Sequence, residues 1–424
     1  MIYIGVDLSD KFFDSCITNS LGGVLARNRF DFDNNGFCSL AKLIQEHQTD
    51  NNDSESSNDS ESSIEKLDEC IIGLENPRSR LVDFLAGRGY TVVLTNPNAI
   101  SSYRQSRKPS KAKSDAADAQ LIADYAREHH KSLQRIQMPD ETIRELSLLL
   151  EDRDRLVQQK VRYSNQLMSA LKEYFPQVLD AFCSIDSKCA IKFLKRVDTL
   201  SQVKALSAKK REQLLKECGI CRKDSKERFY EAMNKSEYHI SQAVIKAKTR
   251  LKKVIITHLD LLTQQVQEYE TQIQNLMDDS PHGHVFQSLP GAGYILGAKL
   301  LVLYSTRDFT NASEAQQLFG TAPYTAMSGQ ARYVGFRKGA NKLGRNTFQQ
   351  FAKCSTRSSI WAKKQYQKRC NQGKGSQHAY RCLANTWVKI TFAMWQSKTP
   401  YDERKHMASI ANHFVNQPAF VNRD

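Results

Sequence analysis

No apolar run in the sequence is long enough to cross a membrane. The longest, Gly291 to Tyr304, is interrupted by Lys299 and falls short of the roughly 20 residues a spanning helix needs. The start also lacks the cationic segment of a signal peptide, because Met1-Ile2-Tyr3-Ile4 reaches Asp7 without a Lys or Arg. Clustered cysteine is missing too. The 10 cysteines are scattered, and Cys218-Gly219-Ile220-Cys221 is the one close pair. Cys183 and Cys189 do not stand at the spacing of partner zinc ligands, so free thiols in a reducing compartment are expected. These absences set aside membrane proteins, disulfide-stapled secreted domains and zinc modules, and they predict a cytoplasmic protein.

Negative charge is also scarce, except at the start. Through Glu75 there are 15 Asp/Glu against 5 Lys/Arg, a balance of −10; with a net charge of +15 overall, the rest carries +25. A basic body of this kind predicts an anionic partner such as nucleic acid, the plainer reading being a soluble basic surface. The 40% hydrophobic content supports packed cores. The 424 residues predict about three domains.

What is present begins with short apolar runs that end on acids. Ile2-Tyr3-Ile4-Gly5-Val6-Asp7 reads as a buried strand, and Cys70-Ile71-Ile72-Gly73-Leu74-Glu75 as another. Phe12 to Thr18 and Val24 to Phe30 read as strands joined through Leu21-Gly22-Gly23. Phe37 to Gln45 and Arg78 to Gly87 read as helices, and Tyr90 to Leu94 as a strand closed by Thr95-Asn96-Pro97. Thr49 to Ser63 is almost wholly Asp, Asn, Ser and Glu, which predicts a disordered acidic insertion. A basic stretch from Arg104 leads through Lys111 and Lys113 to Ser114, a candidate N-cap for a helix opening on Asp115.

Asp115 and Asp118 are three apart, so on a helix they share a face. A charged first turn that suits the helix dipole is one reading of the pair. The other is a hard divalent cation held through oxygen. In a mixed sheet with helices packed on it, Asp7, Glu75, Asp115 and Asp118 can converge, and four carboxylates can hold the two Mg²⁺ ions of a phosphodiester displacement.

From Asp140 the periodicity becomes helical. Leu146, Leu150, Leu167 and Leu171 belong to one long pattern, and Val244, Leu251, Leu259, Leu262 and Leu276 to a second. Each is long enough for a helical hairpin or coiled coil, serving as an internal bundle or a dimerisation arm. The intervening 177–237 is basic and helical in composition. Toward the C-terminus, Leu289-Pro290-Gly291-Ala292-Gly293 between helical patterns resembles a helix-hairpin-helix turn, where backbone N–H groups approach a phosphate. Gly320 to Gly329 reads as a turn carrying Ser328, and Lys338 to Arg345 as a basic loop entering a helix. Lys and Arg mix with Tyr380, Trp387, Phe392 and Trp395, a pattern of core aromatics or of nucleic-acid stacking.

In their order these motifs resemble the DEDD-type insertion-sequence transposases, the bridge-RNA-guided serine recombinases of bacterial mobile elements. The resemblance rests on Gly5-Val6-Asp7-Leu8-Ser9, Glu75, Asn96-Pro97 and Lys113-Ser114-Asp115-Ala116-Ala117-Asp118-Ala119. It continues in Leu289-Pro290-Gly291-Ala292-Gly293, Pro323, Ser328-Gly329, Lys338-Gly339-Ala340-Asn341 and Pro400-Tyr401-Asp402, and it covers nearly the whole chain. It implies an α/β RuvC-like RNase H-fold domain over 1–139, a helical coiled-coil region over 140–279, and a mainly α transposase domain over 280–424. Asp7, Glu75, Asp115 and Asp118 would bind Mg²⁺, with Mn²⁺ as substitute, and Ser328 would be the nucleophile. Lys111, Lys113, Gly291, Gly293, Lys338, Asn341, Lys342 and Arg345 would contact nucleic acid. The implied partners are target and donor DNA, a structured guide RNA, and further copies of the chain as dimers pairing into a tetramer. The competing expectation is a metal-dependent nuclease like a Holliday-junction resolvase, in which Ser328 is only a turn residue.

Overall fold

The computed structural model describes residues 1–49, 70–76, 79–107, 115–133, 135–136, 138–236 and 239–408. Most of the predicted insertion, from residue 50 on, lies outside them, as do Lys111, Lys113 and Ser114. The chain divides into two compact units, Met1–Pro139 and Asp140–Asp424.

The first unit is built on a five-stranded mixed sheet. Strand β1 (Ile2–Leu8) pairs antiparallel with β2 (Phe12–Asn19), which pairs antiparallel with β3 (Val24–Asp31). Helix α1 (Asn34–Thr49) follows, and then β4 (Cys70–Leu74), parallel to the other side of β1. Helix α2 (Arg80–Ala86) starts on Ser79, whose hydroxyl accepts from Val82 N, and leads to β5 (Thr91–Leu94), parallel to β4. The strand order is β3-β2-β1-β4-β5.

Strand alternation sorts the two faces. Ile2, Ile4, Val6, Phe13, Ile17, Cys70, Ile72 and Leu74 point into a core shared with Phe37, Leu40 and Ile44 of α1 and with Leu81, Val82 and Leu85 of α2. The other face carries Tyr3, Ile71 and Val93. It is covered by α4 (Asp115–His129), which is preceded by α3 (Pro97–Arg107). Helix α3 corrects the sequence reading of a closing turn followed by a basic stretch. Pro97 is the first helical residue, where its missing N–H costs nothing, and the Asn96 side chain accepts from Asn98 N at 2.9 Å.

The second unit is mostly helical. Its two longest helices, α5 (Glu141–Tyr174) and, further on, α11 (Gln242–Asp279), lie antiparallel: Arg153 pairs with Glu270, Tyr163 stacks on His258, and Lys248 pairs with Glu173. Between them run α6 (Gln177–Ala181), α7 (Lys188–Arg196), α8 (Leu200–Ala205), α9 (Ala208–Cys218) and α10 (Lys223–Met233). This segment has a core of its own: Phe193, Val203, Leu215 and Phe229 are buried with Leu167 and Leu171 of α5 and Ile255 and Leu259 of α11.

The opposite ends of α5 and α11 enter a second core with the C-terminal elements. These are α12 (Gly283–Gln287), α13 (Gly293–Ser305), α14 (Ala312–Leu318), the hairpin β6 (Tyr324–Ser328) and β7 (Ala331–Gly335), α15 (Lys342–Ser358), α16 (Ile360–Asn371) and α17 (Ser376–Ser397). Trp387 is fully buried there against Phe351 and Trp361, and Trp395 stacks on Phe286. Trp387, Phe392 and Trp395 of α17 therefore belong to the core, whereas Tyr380 is half-buried and stacks on Tyr366.

Candidate active site

The acidic edge of the first unit depends on a close helix–strand approach. A Cβ on Gly5 would lie 1.9 Å from the Ala119 carbonyl oxygen and 2.3 Å from Ala123 N. Only glycine lets α4 lie this close to β1. Gly73 on β4 faces Ile122 and Ala126 of the same helix. Two residues beyond Gly5 on the same face comes Asp7. It is paired across the antiparallel ladder with Asp14, and Val6 is paired with Leu74, so Glu75 follows directly beside Asp7. Asp118, one residue before Ala119, sits in the first turn of α4 above this edge. The fold thus brings Asp7 and the first turn of α4 to one end of the sheet, with Glu75 one residue past β4, although they are distant in sequence.

The two acids of α4 do not act as a matched pair. Asp118 is buried, and its carboxylate accepts from Arg104 Nη2 of α3 at 2.6 Å. Asp115 is exposed and lies 3.4 Å from Arg29 Nη2 of β3. Arg29 also forks onto Asp14, with Nε–Oδ1 at 3.1 Å and Nη2–Oδ2 at 2.8 Å, and its guanidinium stacks 4.0 Å from the Phe12 ring centre. Asp14 and Arg29 escaped the sequence reading, and Arg104 was read only as the start of a basic stretch. Asp14 could have been found from the β2 alternation, which puts it on the inner face with Cys16 and Thr18; the arginines carry no local signal.

Among the described residues no three His, Cys, Asp or Glu side chains are gathered closely enough to hold a metal ion. The donor chemistry nonetheless fits a hard cation: the candidates are all carboxylates, with no thiolate or imidazole among them. Arginine guanidinium groups stand on one oxygen of two of the carboxylates, Arg104 on Asp118 Oδ1 and Arg29 on Asp115 Oδ2, and meet part of their charge.

In the second unit, the expected turn around Ser328 is instead a β-hairpin. Ser328 ends β6 and faces Ala331 across a two-residue turn in which Gly329 has φ +56°, the glycine-first geometry of a type II′ turn. Every residue of β6 is exposed, as are Met327, Tyr333 and Val334 at the hairpin surface. Ser328 is thus presented outward, in a unit distinct from the one holding the acids.

Gly291 and Gly293 have φ of +77° and +60° in the turn from α12 to α13, and a Cβ on Gly291 would meet the Cys354 carbonyl oxygen at 2.9 Å. Asn341 caps α15, its side chain accepting from Gly344 N at 2.9 Å. Arg345 bonds the Arg337 carbonyl and lies over the Phe336 ring. Lys338 and Lys342 are exposed. From Ala315 to Tyr401 the sequence contains 15 Lys/Arg and no Asp or Glu, a run of charge the sequence reading had noted only in pieces. Lys363, Lys364, Lys368 and Arg369 of α16 and Lys353 and Arg357 of α15 belong to it.

Comparison with known proteins bears on both units. Residues 4–176 match a DEDD transposase model of the IS110 type, and residues 283–367 match the model described as the transposase IS116/IS110/IS902 family. The two matches fall on separate stretches of the chain, one in each half. It is 24% identical over 418 residues to the protein of Streptomyces coelicolor named for the mini-circle transposase of IS117, covering 96% of this chain and 97% of that one. It is 25% identical over 305 residues to the 43.6 kDa protein of insertion element IS110 from the same species, covering 70% and 74%. It is 23% identical over 325 residues to the 44.8 kDa protein of insertion element IS116 from Streptomyces clavuligerus, covering 75% and 79%. Both matched models are described as transposases, and DEDD-type transposase domains generally use divalent metal ions. No helix among the described residues is long and apolar enough to cross a membrane.

Proposed function

We propose that this transposase cleaves and rejoins DNA strands with two sets of residues, the carboxylates Asp7, Glu75, Asp115 and Asp118 and the hydroxyl of Ser328. The observation that carries the first set is the Gly5 contact, which seats α4 on β1 at Ala119 and Ala123, directly after Asp118 and on the strand that bears Asp7. The strand order β3-β2-β1-β4-β5, with three antiparallel strands and then two parallel ones, supports reading the first unit as a RuvC-like RNase H fold. The four carboxylates would hold Mg²⁺, and Mn²⁺ in its place. The ion supplies charge stabilisation at the phosphate oxygens when bound. Asp118 is the residue whose burial fixes its direction.

Ser328 is the proposed nucleophile. Its Oγ bonds to phosphorus, the bond from phosphorus to the leaving deoxyribose oxygen breaks, and the serine proton ends on that oxygen. The reverse step, from a new strand hydroxyl, rejoins DNA and frees the serine. The phosphoserine link conserves the energy of the broken phosphodiester. One observation favours the alternative, a resolvase-like nuclease in which water attacks: Ser328 Oγ has no histidine or carboxylate hydrogen-bonded to it among the described residues, the nearest histidine before it in sequence being His284.

The remaining proposals follow the family resemblance. The chain divides into 1–139, 140–279 and 280–424; α5 and α11 form a coiled-coil arm that joins copies into dimers and tetramers; and a structured guide RNA pairs with target and donor DNA. The carboxylate-free stretch from Ala315 to Tyr401, with Lys338, Lys342 and Arg345, supports a phosphate-tracking surface. The test of the carboxylate set is Asp118→Asn. It should abolish strand cleavage in Mg²⁺ while leaving DNA affinity nearly unchanged, because affinity draws on the basic surface. Cleavage at the wild-type rate would remove Asp118 from the site.

A further inference from the structure

Residues 177–282 lie between the two stretches matched by the transposase models, yet they hold a folded helical module with its own core. Where α8 meets the start of α11, two clefts of about 700 and 540 Å³ open side by side and share Thr199, Ser201, Gln242 and Ile245. The first is lined by Lys246, Arg250 and Lys253, spaced four and three apart on one face of α11.

Its one acid, Asp198, is already engaged, 2.6 Å from the Nζ of buried Lys252 and 3.6 Å from that of Lys253. Lys246 and Arg250 are exposed and form no ion pair among the described residues. The neighbouring cleft has a different lining. Ile240, Ile245 and Tyr174 make its wall. The Tyr174 hydroxyl is buried facing Thr249, and neither hydroxyl completes a well-aligned hydrogen bond.

We propose that this double cleft holds one unpaired nucleotide of a nucleic-acid strand, its phosphate on Lys246 and Arg250 and its base against Ile245 and Tyr174. A free phosphate would use only the cationic half. The volumes fall in the range of pockets that enclose an organic ligand. A duplex would not enter a concave site, whereas a single strand can turn one base into it. The proposal rests on the transposase's nucleic-acid substrate and is independent of the carboxylate and serine chemistry.

The test uses the full-length protein and unstructured single strands of RNA and of DNA about 16 nucleotides long. The double substitution Lys246→Ala/Arg250→Ala should weaken binding roughly tenfold and flatten the salt slope by about 1.4. A photoreactive base in the strand should crosslink within residues 239–254 of the wild type and not of the variant. Lys209→Ala/Lys210→Ala on neighbouring α9 removes the same charge from exposed positions and should change little. The strand that loses more affinity, RNA or DNA, identifies the source of the nucleotide. Equal loss from both double variants would show a diffuse basic field, and unchanged affinity in the first would show an empty groove; either result overturns the proposal. Cleavage activity is not the readout, so failure here leaves the carboxylate and serine assignments standing.

Discussion

Adding one methyl group to Gly5 would drive carbon into the backbone of α4, with contacts of 1.9 and 2.3 Å to Ala119 O and Ala123 N. Neither atom can rotate away, so the helix must shift. Gly5→Ala is expected to cost about 3 kcal/mol, read as a fall in urea midpoint, and to reduce cleavage further than the stability loss explains, because the shifted helix carries Asp118. A stable Gly5→Ala protein with full activity would show that the close approach does not position the acids. At this scale the sequence was partly legible. Asp7 near the end of β1 and Glu75 just past β4 stood out because apolar runs led into them, and Asp115 and Asp118 because they open a helix. Their partners did not: Arg29 reaches Asp14 and Asp115, and Arg104 reaches Asp118, through side-chain contacts that no spacing rule encodes.

Elements were legible where one periodicity dominated. The strands of the first unit and the long helices α5 and α11 fall close to their sequence expectations because alternation or a 3.6 period runs unbroken through them. Helix α3 was missed because Asn96-Pro97 serves equally as a turn and as an N-cap followed by a first helical residue. The hairpin around Ser328 was missed because its strands are exposed on both faces and show no apolar alternation. Between α7 and α8 the chain is fixed by a residue whose role sequence could not reveal. Lys252 of α11 is fully buried and donates to Leu194 O at 2.6 Å, Val197 O at 2.8 Å and Asp198 Oδ1 at 2.6 Å. Burial lowers its pKa, and the Asp198 carboxylate pulls it back in part. Lys252→Met keeps the apolar stem but leaves these acceptors without their donor. A loss of about 3 kcal/mol is expected, measured by chemical denaturation. A change under about 0.5 kcal/mol, the range of a neutral surface substitution, would mean that the loop is held by its backbone alone.

Across the whole molecule, charge is the property most plainly written in the sequence. The carboxylate-free stretch from Ala315 to Tyr401 carries 15 cations, matching the net charge of +15 for the entire chain. DNA affinity should therefore fall steeply with salt, with a slope of about −0.9 for each phosphate neutralised. A flat titration between low and physiological salt would place recognition elsewhere. Folding brings Asp7 and the first turn of α4 to one end of the sheet, with Glu75 one residue past β4, while Ser328 projects from an exposed hairpin of the other unit, and the central claim is that strand exchange uses both sets. The most direct measurement incubates end-labelled donor DNA with Mg²⁺ and protein, quenches in denaturant, and looks for label that migrates with the polypeptide. Wild type should give a protease-sensitive adduct that maps to Ser328. Ser328→Ala should bind DNA as tightly but give neither adduct nor recombinant product, and Asp118→Asn should give no adduct. Recombinant product from Ser328→Ala at the wild-type rate would contradict the account and leave the water-dependent nuclease in its place.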